Sequence, residues 1–231
     1  MVTDDYGKTS VMEKEVIVKK KEKDYKRIYL TFDDGPSSDV TNKILDLLGK
    51  YNIKATFFLI GHNNTDDIIK RIYNEGHTIG LHTYSHSYKN VYKSEEAFFN
   101  DLDKISNKVY DITGYKSYII RFPGGSSNTV SRNYNKGIMT RLTKEVESKG
   151  YYYFDWNVDS FDTLTQDSDK ICKNVTKSLN KGANIVLMHD YKGHQGTYDA
   201  LPCIIEYAFK NGYTFDKIGK DTKSIHHNIQ N

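Results

Sequence analysis

The feature that most constrains the fold is an alternation between short apolar runs and amphipathic stretches, sustained from residue 26 to residue 218. The opening run, Arg27-Ile28-Tyr29-Leu30-Thr31-Phe32, is dense in β-branched and aromatic residues, as a buried strand requires. Val40 to Leu48 then spaces its apolar residues at helical intervals, with Ser37, Ser38 and Asp39 ahead of it as caps. Further strands are predicted at Ala55–Ile60, His77–Leu81, Tyr118–Ile120, Tyr151–Val158, Asn184–Met188 and Tyr213–Phe215. Helices fall between them at Asp66–Asn74, Glu95–Ile112, about 138–149, Ser168–Asn180 and Tyr198–Lys210. Strands that are apolar on both faces and separated by helices make a parallel sheet with helices packed against it. Seven strands are one short of the usual closed barrel. The expected architecture is therefore an irregular, incompletely closed (β/α) barrel with about seven parallel strands.

The flanks read differently. Residues 1–25 are a charged lead-in, expected to be flexible, with one possible edge strand at Val16-Ile17-Val18. The folded domain is placed at 26–218. Residues 219–231 read as a polar tail, with His226 and His227 expected on its surface. No apolar run approaches the roughly 20 residues of a membrane span. The polar start, Met1-Val2-Thr3-Asp4-Asp5, does not resemble a signal peptide. Either the chain is cytoplasmic, or an export or anchor segment is missing from this sequence. A net charge of +3, with no basic block interleaved with aromatics, excludes nucleic acid as a partner. The nineteen tyrosines accompany abundant Lys, Asn and Ile, and read as compositional bias rather than a sugar-stacking platform. Cys172 and Cys203 leave a disulfide and two reduced thiols equally open. A monomer is expected.

Folds of this class carry their chemistry at the carboxyl ends of the strands. Five polar clusters stand there. Asp33-Asp34-Gly35-Pro36 ends the first strand, and His82-Thr83-Tyr84-Ser85-His86 follows the third. Arg121-Phe122-Pro123-Gly124-Gly125, Asp159-Ser160-Phe161-Asp162 and Leu187-Met188-His189-Asp190 follow the fourth, fifth and sixth. Two imidazoles four residues apart would share one face of a helical turn, within reach of one metal ion. Two adjacent carboxylates are costly to bury without a positive partner. Each motif alone has a plain alternative: an Asp-Gly hairpin turn, or a chance pair of surface histidines. Five at the ends of one parallel sheet are harder to dismiss.

The five segments resemble, in order, the five motifs of the polysaccharide deacetylases, the metal-dependent carbohydrate esterase family 4. The resemblance runs from about Lys26 to about Ile218 and implies a distorted (β/α) barrel. It implies that Asp34, His82 and His86 bind one divalent metal, with zinc first and cobalt, manganese, nickel or iron as alternatives. It implies Asp33 as the general base that takes a proton from metal-activated water, and Arg121 as the residue that holds that base ionised. A backbone N–H of the Pro123-Gly124 loop would bind the oxyanion. His189 would be the general acid, Asp162 the carboxylate that orients it, and Leu187 a wall for the acetyl methyl. The implied substrate is a cell-wall polysaccharide, chiefly the N-acetylglucosamine of peptidoglycan, and the implied location is extracellular or at the cell surface. Chitooligosaccharide deacetylase and acetylxylan esterase are alternatives within the family. Two positions depart from its pattern: Gly124-Gly125 replaces an aromatic after Pro123, and Thr163 replaces a tryptophan after Asp162.

Two readings from other classes stand beside this one. Two histidines and a carboxylate also suit an iron-dependent oxygenase, which has no use for a second carboxylate and a paired acid. The departures at Gly124 and Thr163 suit a catalytically silent carbohydrate-binding relative. Among the other candidates, Asp159 reads as a cap or turn residue, and His62 and His77 as satisfied or surface histidines. His194 reads as loop surface, and Trp156 as core.

Overall fold

The computed structural model describes residues 2–3, 9–10 and 26–231. A short antiparallel pair, β1 (Val2–Thr3) and β2 (Thr9–Ser10), precedes the body; the expected edge strand at 16–18 lies outside the described residues. The body then runs β3 (Lys26–Asp33), α1 (Thr41–Lys50), β4 (Thr56–Leu59), α2 (Asp66–Asn74) and β5 (Thr78–Leu81). A short α3 (Tyr88–Val91) leads into the long α4 (Glu95–Thr113), β6 (Ile119–Ile120) and α5 (Ile138–Ser148). It finishes with β7 (Tyr152–Tyr153), β8 (Val158–Asp159), α6 (Ser168–Ser178), β9 (Gly182–His189), α7 (Gln195–Lys210) and β10 (Thr214–Asp216). Among the described residues no helix is long and apolar enough to cross a membrane.

All strands of the body are parallel, in the order β7-β6-β5-β4-β3-β9-β8. The single strand expected at Tyr151–Val158 is two, β7 and β8, and they form the opposite edges of the sheet. This split forces the curl. Laid flat, seven strands would hold their edges roughly 29 Å apart, at about 4.8 Å per spacing. The residues linking 153 to 158 can span at most roughly 17 Å. The sheet therefore bends into an open barrel whose gap is crossed by residues 154–157. The last strand, β10, stands off this path: it pairs with the lower part of β3, at Arg27 to Tyr29, below the stretch Thr31–Asp33 that pairs with β4.

Period-two alternation along β3 assigns its faces. Ile28, Leu30 and Phe32 join the large core between sheet and helices. Tyr29 joins a smaller cluster with Phe58, Ile119, Phe154, Ile185 and Ile218. Thr31 and Asp33, next on that inner face, meet Arg121 at the top. Cys172 of α6 and Cys203 of α7 form a disulfide, so the pairing left open by the sequence is made.

Residues 219–231, expected as a polar tail, dock as a strap. Asp155 N–H donates to the Ile225 carbonyl (2.9 Å), and His227 N–H to Asp155 Oδ2 (2.8 Å). His226 stacks on Tyr153 at 3.7 Å, and the Asn231 side chain accepts from Gly137 N–H (2.8 Å). The reason is hydrogen-bond accounting. Residues 154–157 cross the barrel gap outside any strand, and the strap supplies partners for their backbone.

Candidate active site

The register of the sheet assembles the site. Asp33 and His189 are direct partners on the neighbouring strands β3 and β9, and Leu81 pairs with Ile120, so that His82 and Arg121 emerge at one level. Asp33 is 3% exposed. Its Oδ1 accepts from Arg121 Nη1 at 2.8 Å. Burial pushes the Asp33 pKa up to about 6, opposed chiefly by the Arg121 charge.

Arg121 is itself buried and fully engaged. Nε donates to the Phe154 carbonyl (2.9 Å), Nη1 also to Thr31 Oγ1 (2.8 Å), and Nη2 to the Asp155 carbonyl (3.2 Å). The guanidinium lies 4.2 Å over the Phe58 ring and 5.7 Å from that of Trp156. Trp156 is half-buried: it packs against the smaller core cluster and also borders the guanidinium. Gly125, at φ 77°, leaves it room: a Cβ there would come within 2.9 Å of the indole.

Asp34, with φ 67°, turns its carboxylate toward the two histidines. Its Oδ1 lies 3.5 Å from His82 Nε2 and 3.3 Å from His86 Nε2. The expected helical turn at 82–86 is an irregular loop, with Thr83 at φ 66° and His86 at φ 50°. Asp101 of α4 holds it, accepting from the N–H groups of Tyr84 (2.6 Å) and Ser85 (2.8 Å). A single helical turn at 82–86 would have left those N–H groups without an internal partner, and the carboxylate supplies one. His82 Nδ1 donates to the Arg121 carbonyl (2.7 Å), which fixes the tautomer and leaves the Nε2 lone pair facing Asp34. Burial holds the His82 pKa well below 6.5. Asp34 Oδ1 is buried without a hydrogen-bond partner. Two imidazole lone pairs and an orphaned carboxylate oxygen are a donor set that fits a divalent cation.

At the other side of Asp33, His189 Nδ1 bonds Asp162 Oδ1 at 2.8 Å. Asp162 Oδ2 accepts from His189 N–H and from Thr197 Oγ1, both at 2.7 Å. Burial opposes the imidazolium, but Asp162 outweighs it and raises the His189 pKa to about 9. Leu187 stands two residues earlier on β9, 7% exposed. The Phe122–Gly125 loop is fixed by Tyr92, whose hydroxyl donates to the Pro123 carbonyl (2.7 Å), and by the Gly125 N–H to the Phe122 carbonyl (2.8 Å). Gly124, at φ 74°, is exposed, and a Cβ there would collide with the Tyr88 hydroxyl. The Tyr88 hydroxyl therefore occupies the space into which a side chain at position 124 would start. Where Thr163 lacks an indole, Tyr191 stands edge-on to His189 at 6.0 Å.

Two contributors, Asp155 and Asp190, were given no role from the sequence. Asp155 is fully buried; its Oδ1 accepts from Ser126 N–H (2.8 Å), tying the Gly125 loop to the strap. Asp190 lies under Gly35, where any Cβ would strike its carboxylate, and accepts from Thr41 Oγ1 at 2.6 Å. Burial raises its pKa to about 7. His62 reaches the site through the backbone, with Nε2 2.9 Å from the Asp34 carbonyl. His77 does not: its Nδ1 accepts from Ala55 N–H (3.1 Å), and burial lowers its pKa to about 4. Asp159 caps a turn, accepting from Phe161 N–H (2.8 Å). His194, expected on a loop surface, is buried beside His189, at 5.7 Å between rings.

The sequence profile described as polysaccharide deacetylase matches residues 20–141, more than half of the chain. The chain belongs to the polysaccharide deacetylase family. A family member from Bacillus cereus, named peptidoglycan-N-acetylglucosamine deacetylase, is 37% identical over 193 residues. The match takes in 81% of this chain and 65% of that one, so the chain spans a little under two thirds of the relative. Among solved deacetylase structures, the catalytic domain of peptidoglycan N-acetylglucosamine deacetylase from Eubacterium rectale superposes with a TM-score of 0.85 at 41% identity, over 89% of this chain and 94% of that one. A polysaccharide deacetylase from Bacillus cereus gives 0.76 at 31% identity, over 87% and 96%.

Proposed function

We propose that the chain hydrolyses the N-acetyl groups of N-acetylglucosamine in peptidoglycan. The observation that carries the reading is the pairing of Asp33 and His189 on adjacent strand ends, one held by an arginine and the other by a carboxylate, beside the Asp34–His82–His86 donors. The polymer is taken from the names of the Bacillus cereus and Eubacterium rectale relatives.

A divalent ion held by Asp34, His82 and His86, which we take to be zinc, would supply an acidified water and a positive charge near the acyl oxygen. Asp33 accepts the proton as water adds to the acetyl carbonyl, and Arg121 keeps that carboxylate oriented and ionised. The exposed Gly124 N–H stabilises the oxyanion, a contribution of about 3 kcal/mol for one well-aimed donor. His189, charged at neutral pH, then gives its proton to the departing amine, and Asp162 holds the ring in place. A strong acid serves an amide better than an ester, because an amine leaves poorly unless protonated. Leu187 would border the acetyl methyl. A cell-wall substrate places this action outside the membrane, and a single chain carries every group invoked.

The test is acetate release from peptidoglycan and from N-acetylchitooligosaccharides. Release should stop with a chelator and return with zinc or cobalt. Release unaffected by thorough metal removal would contradict the reading.

A further inference from the structure

His194 has no part in the reading above, and its surroundings are unusual for a buried histidine. The residue is 5% exposed, and neither ring nitrogen has a hydrogen-bond partner. Leaving a buried donor and a buried acceptor unmatched is costly, so such a ring invites a ligand. The loop that carries it is well held. Tyr191 packs on the ring at 3.8 Å, His194 N–H donates to the Tyr191 carbonyl (3.2 Å), and Gly196 N–H donates to Gln166 Oε1 (2.9 Å). One ligand atom each from Asp162, His189 and His194 fall within 4.8 Å of one another, a limit that the Asp34–His82–His86 group also meets. Two imidazoles and a carboxylate favour zinc, cobalt or nickel over magnesium and calcium, which prefer all-oxygen shells.

We propose that Asp162, His189 and His194 form a second divalent-metal site, weaker than the first, and that filling it takes His189 out of catalysis. The site stands on His194 and its neighbours; the loss of activity on filling it rests on His189 being the acid of the proposed function. It is the weaker of the two because Asp162 already accepts from His189 Nδ1, from His189 N–H and from Thr197 Oγ1. The entering ion displaces the proton shared by His189 and Asp162, which leaves to solvent. That proton carries the ring's positive charge, and the neutral metal-bound ring left behind is no longer acidic enough to protonate the departing amine.

The experiment counts zinc bound per chain by equilibrium dialysis and elemental analysis as free zinc rises, alongside acetate release from an N-acetylchitooligosaccharide. The expected result is one ion that restores activity, then a second at higher free zinc whose binding tracks a loss of activity; magnesium does neither. In His194→Phe the second ion should weaken about tenfold or more, since even outer-shell partners of metal ligands are worth about 10–100-fold. Inhibition should move in proportion, while the first ion and the low-zinc activity are kept. His194→Gln gives the same result where the larger ring unfolds the loop. One ion per chain at every zinc concentration, or unchanged inhibition in both variants, overturns the proposal. Two ions per chain with no acetate released from any glycan would leave the site standing and remove the proposed function instead.

Discussion

Replacing Asp162 by Asn removes one charge from the acid pair and keeps its shape. In the parent, burial works against the imidazolium, and the hydrogen bond and charge of Asp162 overcome it to raise His189 to about 9. Asp162 Oδ2 receives two donors, His189 N–H and Thr197 Oγ1. In the variant the amide oxygen must stay at that position, because an NH2 there would face a backbone N–H. The NH2 group then faces Nδ1, which has to accept instead of donate, and the neutral Nε2–H ring is locked in. With the charge gone and the burial left, the His189 pKa falls below the ordinary 6.5. The interval from about 9 to 6.5 corresponds to about 3 kcal/mol. At about pH 8 most parent rings are charged, against roughly three in a hundred in the variant. The general acid must be protonated, so activity is lost as pH rises through its pKa. The expected outcome is a kcat/KM for acetate release about 30-fold or more lower near pH 8, with the alkaline limb moved from near 9 to below about 6.5. Rates measured between about pH 5 and 10 at fixed free zinc read this out, and the histidine C–H resonances provide an independent titration. An alkaline limb that stays near 9 in Asp162→Asn would refute the assignment.

Three further outcomes follow from packing. Arg121→Leu leaves Asp33 buried with its charge unpaired, which should cost about 3–5 kcal/mol of stability in urea unfolding, whereas Arg121→Lys should recover part of it. Cys172→Ser with Cys203→Ser opens a link between residues 31 apart in sequence and should lower stability by about 3 kcal/mol, with activity at room temperature retained. Deleting residues 225–231 removes the partners of Asp155 and uncovers Tyr153; both the unfolding midpoint and kcat should fall, because Asp155 also anchors Ser126 and, through its carbonyl, Arg121.

The candidate site was legible because its residues stand at strand ends, where short motifs are punctuated by glycine and proline. Asp33-Asp34-Gly35-Pro36 and the His82/His86 pair are found in the structure where the sequence puts them, although the second works through a loop fixed by Asp101 instead of a helical turn. What escaped depends on long-range placement. Tyr151 to Val158 reads as one strand because its residues other than Asp155 and Asn157 are aromatic or β-branched; the closure of the barrel splits it and turns Asp155 and Trp156 toward the site. His194 lies between Gly193 and Gln195-Gly196, a composition that reads as solvent-exposed, and nothing local reveals that the turn folds it under His189. The strap has only Ile225 and Ile229 as apolar residues, and it docks by backbone and imidazole contacts that hydrophobic periodicity does not register. The cysteine pairing likewise needed α6 and α7 in place, since spacing alone is silent about it.

The central claim is that the metal donors and the base are adjacent yet separate: Asp34 holds the ion, and Asp33 moves the proton. Asp33→Asn keeps an acceptor for Arg121 and removes only the basicity. Zinc content and acetate release measured on the same sample at low free zinc should give one ion per chain, as in the parent, with release lower by about 10²–10⁴-fold. A variant that holds its zinc and still releases acetate within a few-fold of the parent rate would contradict the account.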